Sequence, residues 1–428
     1  MKSKETLSRR SFLQAATAST LVFALHAEAA EEEKPQEAEP AQPVGPPVAC
    51  GVIGCGPRGR ELMQALSRVP GAPVKMICDN YPGAFTLAKK AAPEATTVPD
   101  YKQLLDNKEI AAVFVATPSH LHRQIVLDAL QAGKHVYCEA PLAHTVDEAT
   151  AIAKAAKDAK TTFQAGLQGR CNPLYQHALK FLGIGALGQL AQMRAQWHRK
   201  ESWRRVGANA ERERALNWRL YKASSAGLMG EVGIHQVDTI SWGLKAIPEA
   251  VQGFGGIYQW KDDREVADTV QCVFDYPGGV RLLYDATLAN SFGGAYELYM
   301  GSDGAIYLMQ ERGWMIKESD APQIGWEVYA YKEQVGVPGA TQTGIGLIAD
   351  ATKLLAQGRE PKDVGPGGEK GKDALYYAVE SFIQCAREGK PSECGAAEGL
   401  QATVVAIKAN EAITTGQKIT FQPEWFAL

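Results

Sequence analysis

The sequence predicts a two-part α/β chain: an N-terminal doubly wound parallel sheet, then a mostly antiparallel open sheet with helices on one face. Three observations carry this. The apolar run from Val48 to Ile53 leads directly into Gly54-Cys55-Gly56-Pro57-Arg58-Gly59 and a helical pattern. Strand-like and helical runs then alternate to about residue 168, the order of a parallel sheet. Beyond it, strand-like runs follow one another across Pro-Gly-Gly (277–279) and Ser-Asp-Gly (302–304), as in antiparallel hairpins. With 428 residues, 45% hydrophobic and 22% charged, the chain can fill cores for two domains. Its 45 Lys and Arg against 48 Asp and Glu give a net charge of −3, so no basic excess is available for nucleic acid.

Residues 1–29 read as an export signal. Ser8-Arg9-Arg10-Ser11-Phe12-Leu13 precedes an uncharged stretch, and Ala27-Glu28-Ala29 offers a small-residue cleavage site; this resembles a twin-arginine signal and implies a periplasmic address. The stretch is too short and too interrupted for a stable membrane span. Residues 30–47 carry five acids, one lysine and five prolines, the composition of a disordered linker. Eight cysteines and eight histidines show no C-x-x-C or H-E-x-x-H spacing, so no metal site is expected. Cys385 and Cys394 are the nearest cysteines outside strand-like runs and the natural candidates for a disulfide; most others read as buried thiols.

From residue 48 to 168 the elements build a Rossmann domain. In strand–G-x-G-x-x-G–helix order, Gly54 permits the turn, Gly56 lets backbone approach a pyrophosphate and Gly59 lets helix pack on sheet, with Pro57 and Arg58 between them at the helix start. The second strand, Val74 to Cys78, ends in Asp79, whose carboxylate suits the ribose hydroxyls and repels a 2′-phosphate. NAD is therefore expected over NADP, although Arg58 weakens that preference. Further strands at 111–115, 135–138 and 162–165 alternate with helices at 121–132 and 146–159. Their C-terminal ends should open on the cofactor crevice, which nominates Thr117, Pro118, His120 and His122, then Glu139, Ala140 and Pro141. The two histidines also suit a helix start whose rings touch only backbone.

Residues 169–428 form the second part, with strands at 189–197, 251–258, 268–276, 280–288, 295–300 and 304–309 and late helices near 372–388 and 396–414. Glu231 and His235, four apart on a predicted helix opening at Gly230, should share a face, with Asp238 three further on. A carboxylate beside an imidazole fixes its tautomer and suits it to proton transfer, though an ordinary surface pair has the same spacing.

The stretches GVIGCGPRG, VATPSHLH, LQAGKHVYCEAPLA and GEVGIHQVD together resemble the Gfo/Idh/MocA family of nicotinamide-dependent sugar and polyol oxidoreductases. The resemblance implies NAD(P) in the first part, a carbohydrate substrate at the junction, and homodimers or homotetramers formed through the open sheet face. It also exposes a departure. The family usually has Glu-Lys-Pro after the fifth strand, the lysine meeting the substrate hydroxyl, whereas this chain has Glu139-Ala140-Pro141. Alanine cannot accept a proton.

His235 is thus the expected catalytic group, assisted by Glu231 or by Tyr221. Sugar-binding side-chain chemistry nominates Arg170, Asn172, His198, Trp218, Arg219 and Lys222, with the tryptophans equally suited to packing. Three activities follow. The first is hydride transfer from a sugar, polyol or glycoside hydroxyl to NAD. The second is an NAD-dependent glycosidase that oxidises transiently, eliminates and returns the hydride. The third is a non-catalytic descendant that has lost its lysine.

Overall fold

The computed structural model describes residues 45–309, 311–322, 327, 330, 332–337, 340–348 and 372–428. The expected signal, and the linker before residue 45, lie outside them. No helix among the described residues is long and apolar enough to cross a membrane.

The first part is the expected parallel sheet. Strands β1 (Cys50–Ile53), β2 (Val74–Cys78), β3 (Thr96–Val98), β4 (Ala112–Val115), β5 (His135–Cys138) and β6 (Phe163–Ala165) lie in the order β3-β2-β1-β4-β5-β6. All five neighbouring pairs are parallel. Every residue of β1 and β4 is buried, because helices cover both faces of such a sheet. Pro57 at the first turn starts α1 (Pro57–Arg68), which buries Leu62, Met63, Ala65 and Leu66. The helices that follow are α2 (Phe85–Ala91), α3 (Tyr101–Asp106), α4 (His122–Gln131) and α5 (Val146–Asp158). In α5 the Thr145 side chain accepts from the Glu148 N–H, and two acids occupy the first turn.

The second part opens with α6 (Pro173–Gly183) and β7 (Leu190–His198), passes through α7 (Ala210–Leu216) and a π turn (Met229–Gly233) into α8 (Ile234–Leu244), and continues with strands. These are β8 (Ala250–Gly256), β9 (Thr269–Asp275), β10 (Arg281–Thr287), β11 (Ala295–Gly301), β12 (Gly304–Met309), β13 (Arg312–Lys317), β14 (Lys332–Val337) and β15 (Ala340–Gly346). With a final β16 (Ile419–Thr420) they make a ten-stranded sheet, β14-β15-β13-β12-β11-β7-β10-β9-β8-β16, antiparallel except for the β7–β10 pair. The Pro-Gly-Gly signal is a tight β9–β10 turn with Gly278 and Gly279 at φ 82° and 79°. Burial alternates along β9 and β10, so one face meets the core formed with α6 and α8 and the other stays open.

The tail helices are α9 (Ala374–Glu388) and α10 (Ala396–Thr415). Helix α9 returns to the first part: Tyr376, Val379, Phe382 and Ile383 join Phe114 and Tyr137 in its core. Helix α10 spans the junction, with Val404 and Ala406 in the core of one part and Val405 and Ala409 in that of the other. The candidate Cys385–Cys394 disulfide is not formed; all eight cysteines are free thiols. Cys394 is buried, and the Cys385 thiol turns to the Pro391 carbonyl at 3.6 Å.

Glu297 on β11 is a buried carboxyl, with the Tyr175 hydroxyl of α6 donating to its Oε2 at 2.8 Å. Burial pushes its pKa up from 4.5 to about 8, against the pull of that hydrogen bond. Because the folded value lies above the unfolded one, the stability it contributes is full below pH 4.5 and lost as pH rises through about 8. Glu297→Gln keeps an acceptor for Tyr175 and cannot ionise. It should therefore flatten the loss of stability between pH 5 and 9, by on the order of 3 kcal/mol at the alkaline end, as read in melting temperatures across that range; unchanged curves would refute the burial argument.

Candidate active site

The crevice above β1 has the shape the glycine motif requires. Gly54 adopts φ 100°, and a Cβ there would come within 2.6 Å of the Ala116 carbonyl oxygen. A Cβ on Gly59 would sit 1.9 Å from the Gly54 oxygen, whereas one on Gly56 would meet nothing within 4 Å. The second glycine thus faces open space at the N-terminus of α1, where unpaired N–H groups attract phosphate. At the end of β2 the Asp79 carboxylate is fixed by two backbone donors, the Cys55 N–H and the Tyr81 N–H, each at 2.9 Å. At the end of β4 the Thr117 hydroxyl is buried without a hydrogen-bond partner among the described residues. An open glycine turn, an anchored carboxylate and an orphaned hydroxyl fit a dinucleotide without a 2′-phosphate.

Of the remaining crevice residues, Pro118 precedes the short turn Ser119–Leu121, and the Ala140–Pro141 peptide is cis. His122 departs from expectation. Its ring is buried with both nitrogens against backbone, Nε2 at 2.8 Å from the Thr117 oxygen and Nδ1 at 3.1 Å from that of Pro141. It braces the two cleft turns and cannot touch a cofactor. His120 lies nearer the opening: its Nδ1 donates to the Ser224 carbonyl at 3.1 Å, and its ring lies 6.3 Å from that of Trp218.

Arg58 does not point into solvent. Its Nε lies 2.9 Å from Glu139 Oε1, Nη2 donates to Gln168 Oε1 at 2.7 Å and Nη1 to Glu61 at 3.1 Å. A guanidinium charge therefore stands beside Glu139, the residue preceding Ala140. Burial is the largest influence and works against this charge, but Glu139, Tyr137 and Glu61 together outweigh it and raise the Arg58 pKa further.

The predicted Glu231–His235 pair does not form. Residues 229–233 make a π turn, and its wider spacing removes the i, i+4 alignment an α-helix would give. Glu231 instead accepts from Ser119 Oγ at 3.1 Å, Ser225 Oγ at 3.3 Å and the Ala226 N–H at 3.3 Å, and faces Arg219 Nε at 3.5 Å. Burial lifts the Glu231 pKa above the usual carboxylate range, opposed by Arg219 and these donors. His235 is partly accessible, and its ring makes no hydrogen bond with any described residue. Burial, reinforced by the Arg58 charge, lowers its pKa to about 4. It is a neutral imidazole with a free nitrogen, the form that accepts a proton.

Tyr221 makes no contact with the imidazole among the described residues. It is buried, with the Arg214 guanidinium stacked 3.2 Å from its ring centroid, while Lys222 is exposed. Arg170 is committed elsewhere: Nε and Nη2 donate to the two Asp238 oxygens at 2.9 and 2.7 Å in a buried bidentate pair. Asn172 caps α6, accepting from the Leu174 N–H at 3.0 Å. His198 lies on the open sheet face, bonded to Asp285 and to the Phe292 carbonyl; strand alternation turns it away from the α8 side, because Trp197, not His198, points to the core. Trp218 and Arg219 do reach the site. Arg219 stacks over Trp218 at 4.7 Å and Trp203 at 5.7 Å while its charge acts on both Glu231 and Glu139.

The resulting cleft holds Arg58, Glu139, Arg219, Glu231 and His235, with Trp218 and His120 at its side. Residues 48–167 match the oxidoreductase family with an NAD-binding Rossmann fold, and residues 175–307 match the GFO/IDH/MocA C-terminal domain. The chain belongs to the Gfo/Idh/MocA oxidoreductase family. Its first part is an NAD-binding domain of that family. Levoglucosan dehydrogenase of Pseudarthrobacter phenanthrenivorans is 29% identical over 197 residues, 44% of this chain and 49% of that protein, so the match spans about half of that relative's length. The 2,7-anhydro-N-acetylneuraminate hydratase of Escherichia coli is 28% identical over 264 residues, 61% of this chain and 68% of that protein. A levoglucosan dehydrogenase structure with NADH and levoglucosan superposes with a TM-score of 0.69 at 20% identity, covering 87% of this chain and 99% of the other.

Sequence reasoning overlooked several residues of this Gfo/Idh/MocA cleft. Ser119 and Ser225 hold Glu231, Gln168 holds Arg58, and Arg212 lies 3.9 Å above the Tyr81 ring beside Asp79. The run of residues 210–214, Ala-Glu-Arg-Glu-Arg, was a visible signal for charge at the cleft, but not for its aromatic partners.

Proposed function

We propose that the chain is an exported NAD-dependent dehydrogenase that oxidises a hydroxyl of a sugar, polyol or glycoside. The observation that carries this reading is His235, a neutral and unpartnered imidazole at the cleft beside the nucleotide crevice. Gly54, Gly56 and Gly59 with the N-terminus of α1 hold the pyrophosphate, Asp79 the ribose and Thr117 the neighbouring edge. NAD, when bound, supplies the hydride acceptor. His235 takes the hydroxyl proton. Trp218 offers an apolar face to a sugar ring, with Arg219 and Glu231 beside it for hydroxyls.

The dehydrogenase relative supports net oxidation. The hydratase relative, whose name denotes addition of water and not oxidation, favours a second reading in which the hydride returns to the substrate after elimination and cleavage. Export is supported by Arg9-Arg10 and the uncharged stretch after them, and a homodimer or homotetramer by Phe254 and Val273, exposed on the open sheet face. The deciding experiment supplies purified chain and NAD with a panel of glycosides and free sugars, following NADH absorbance and released sugar together. NADH accumulating without cleavage is expected. Cleavage with no net NADH would replace this reading with the second, and neither would favour the non-catalytic one.

A further inference from the structure

We infer that Arg58 is the cation of the reacting centre, taking the place of the lysine that Ala140 removes and donating hydrogen bonds to the substrate oxygen while His235 takes the proton. This rests on the dehydrogenase reading and assigns a residue within it. A nucleotide-loop arginine that served only the phosphates would need no fixed partner deep in the cleft. Arg58 has two beyond its own helix, Glu139 at 2.9 Å and Gln168 at 2.7 Å, and Gln168 lies 110 residues away in sequence. These contacts hold the guanidinium against Glu139, the residue before Ala140, with 27% of the side chain exposed.

The fork geometry leaves donors to spare. Of the five N–H groups of a guanidinium, Nη2 gives one to Gln168 and Nη1 one to Glu61, while Nε stands in an ion pair with Glu139, so each terminal nitrogen keeps one for a ligand. Such a group cannot act as a base, since it does not release its proton at any working pH. The labour that one lysine performs in the family is therefore divided here. Arg58 supplies fixed positive charge and hydrogen bonds, and proton transfer passes to His235. In that step the substrate O–H bond breaks, its proton goes to a ring nitrogen of His235, and its electron pair forms the C=O bond as hydride leaves the carbon for the nicotinamide that NAD would supply when bound. Positive charge on Arg58 disfavours the alkoxide's protonation and stabilises its developing negative charge.

The charges around His235 are few enough to test this. Arg58 faces it from α1 and is paired with Glu139; on its own side Glu231 is paired with Arg219. Removing Arg58 takes away a cation that resists protonation of the imidazole.

The test compares the wild type with Arg58→Gln, Arg58→Lys and the double variant Arg58→Gln/Ala140→Lys. Three readouts are needed: NAD affinity by calorimetry, kcat at saturating NAD, and the His235 titration by NMR of histidine-labelled protein, with His235→Asn to assign the signal. Arg58→Gln should lower kcat about 100-fold, the usual loss on removing one donor to a developing oxyanion, with NAD affinity changed less than threefold, and should shift the His235 midpoint upward. Arg58→Lys should recover part of kcat, and the double variant should recover turnover with an added alkaline limb from its lysine. A tenfold or greater loss of NAD affinity with kcat unchanged would make Arg58 a phosphate ligand and overturn the assignment. An unmoved His235 midpoint would overturn it too, even in a protein that turns over no substrate, which keeps its failure distinct from failure of the dehydrogenase reading.

Discussion

His235→Ala is expected to lower kcat by about two to four orders of magnitude, the contribution of a positioned general base, while leaving NAD affinity unchanged. The ring has no hydrogen-bond partner among the described residues, so its removal breaks no network and should cost little stability. The pH profile makes the same point in the wild type. With its pKa near 4, the imidazole is already unprotonated across neutral pH, so kcat/KM for oxidation should be level from pH 6 to 8 and fall only as pH drops towards 4. A profile rising through pH 7 to 9 would place the base elsewhere. A parallel loss of NAD affinity in His235→Ala would assign the histidine to binding.

The second large effect is expected at Arg170–Asp238. Both side chains are more than nine-tenths buried and joined by two hydrogen bonds, linking the segment after β6 to α8, the helix that carries His235. Arg170→Ala leaves the Asp238 carboxylate buried and unpaired, which should cost about 3–5 kcal/mol. Chemical denaturation of Arg170→Ala, Asp238→Ala and the double Arg170→Met/Asp238→Leu variant checks this. The apolar double variant should be far more stable than either single one; equal losses in all three would show that the residues act through packing alone. The pair holds α8, which carries His235, against the segment after β6, so the single variants should also lose activity before they unfold.

Much of the nucleotide crevice is legible in the sequence because its determinants are local. The turn at Gly54–Gly59 is a property of consecutive residues, with strains that only glycine relieves, and Asp79 follows its strand at a fixed distance. The alternation of apolar strands with helices demands a parallel sheet, just as Pro-Gly-Gly demands a reversal. Short elements escaped this logic. Strand β3 has three residues and too few apolar positions to show a period, and β13 to β15 lie beyond the stretch where turn signals were clear.

At the candidate site the sequence nominated His235 together with Glu231 as its companion. Spacing on an ideal helix put Glu231 beside His235, but the π turn broke that register and sent the carboxylate to Ser119, 112 residues away. Arg170 offered sugar-binding chemistry that Asp238 consumes, and His198 faces the opposite side of its sheet. What the sequence by itself determined was the two-part fold, the dinucleotide turn with its carboxylate and the alanine between Glu139 and Pro141, all set by neighbouring residues. Only the tertiary structure decided that Arg58 turns onto Glu139 and Gln168, that Glu231 belongs to Arg219, and that α9 completes the first core, because each depends on side chains brought together from distant segments, where burial leaves a charge no stable state except beside its partner.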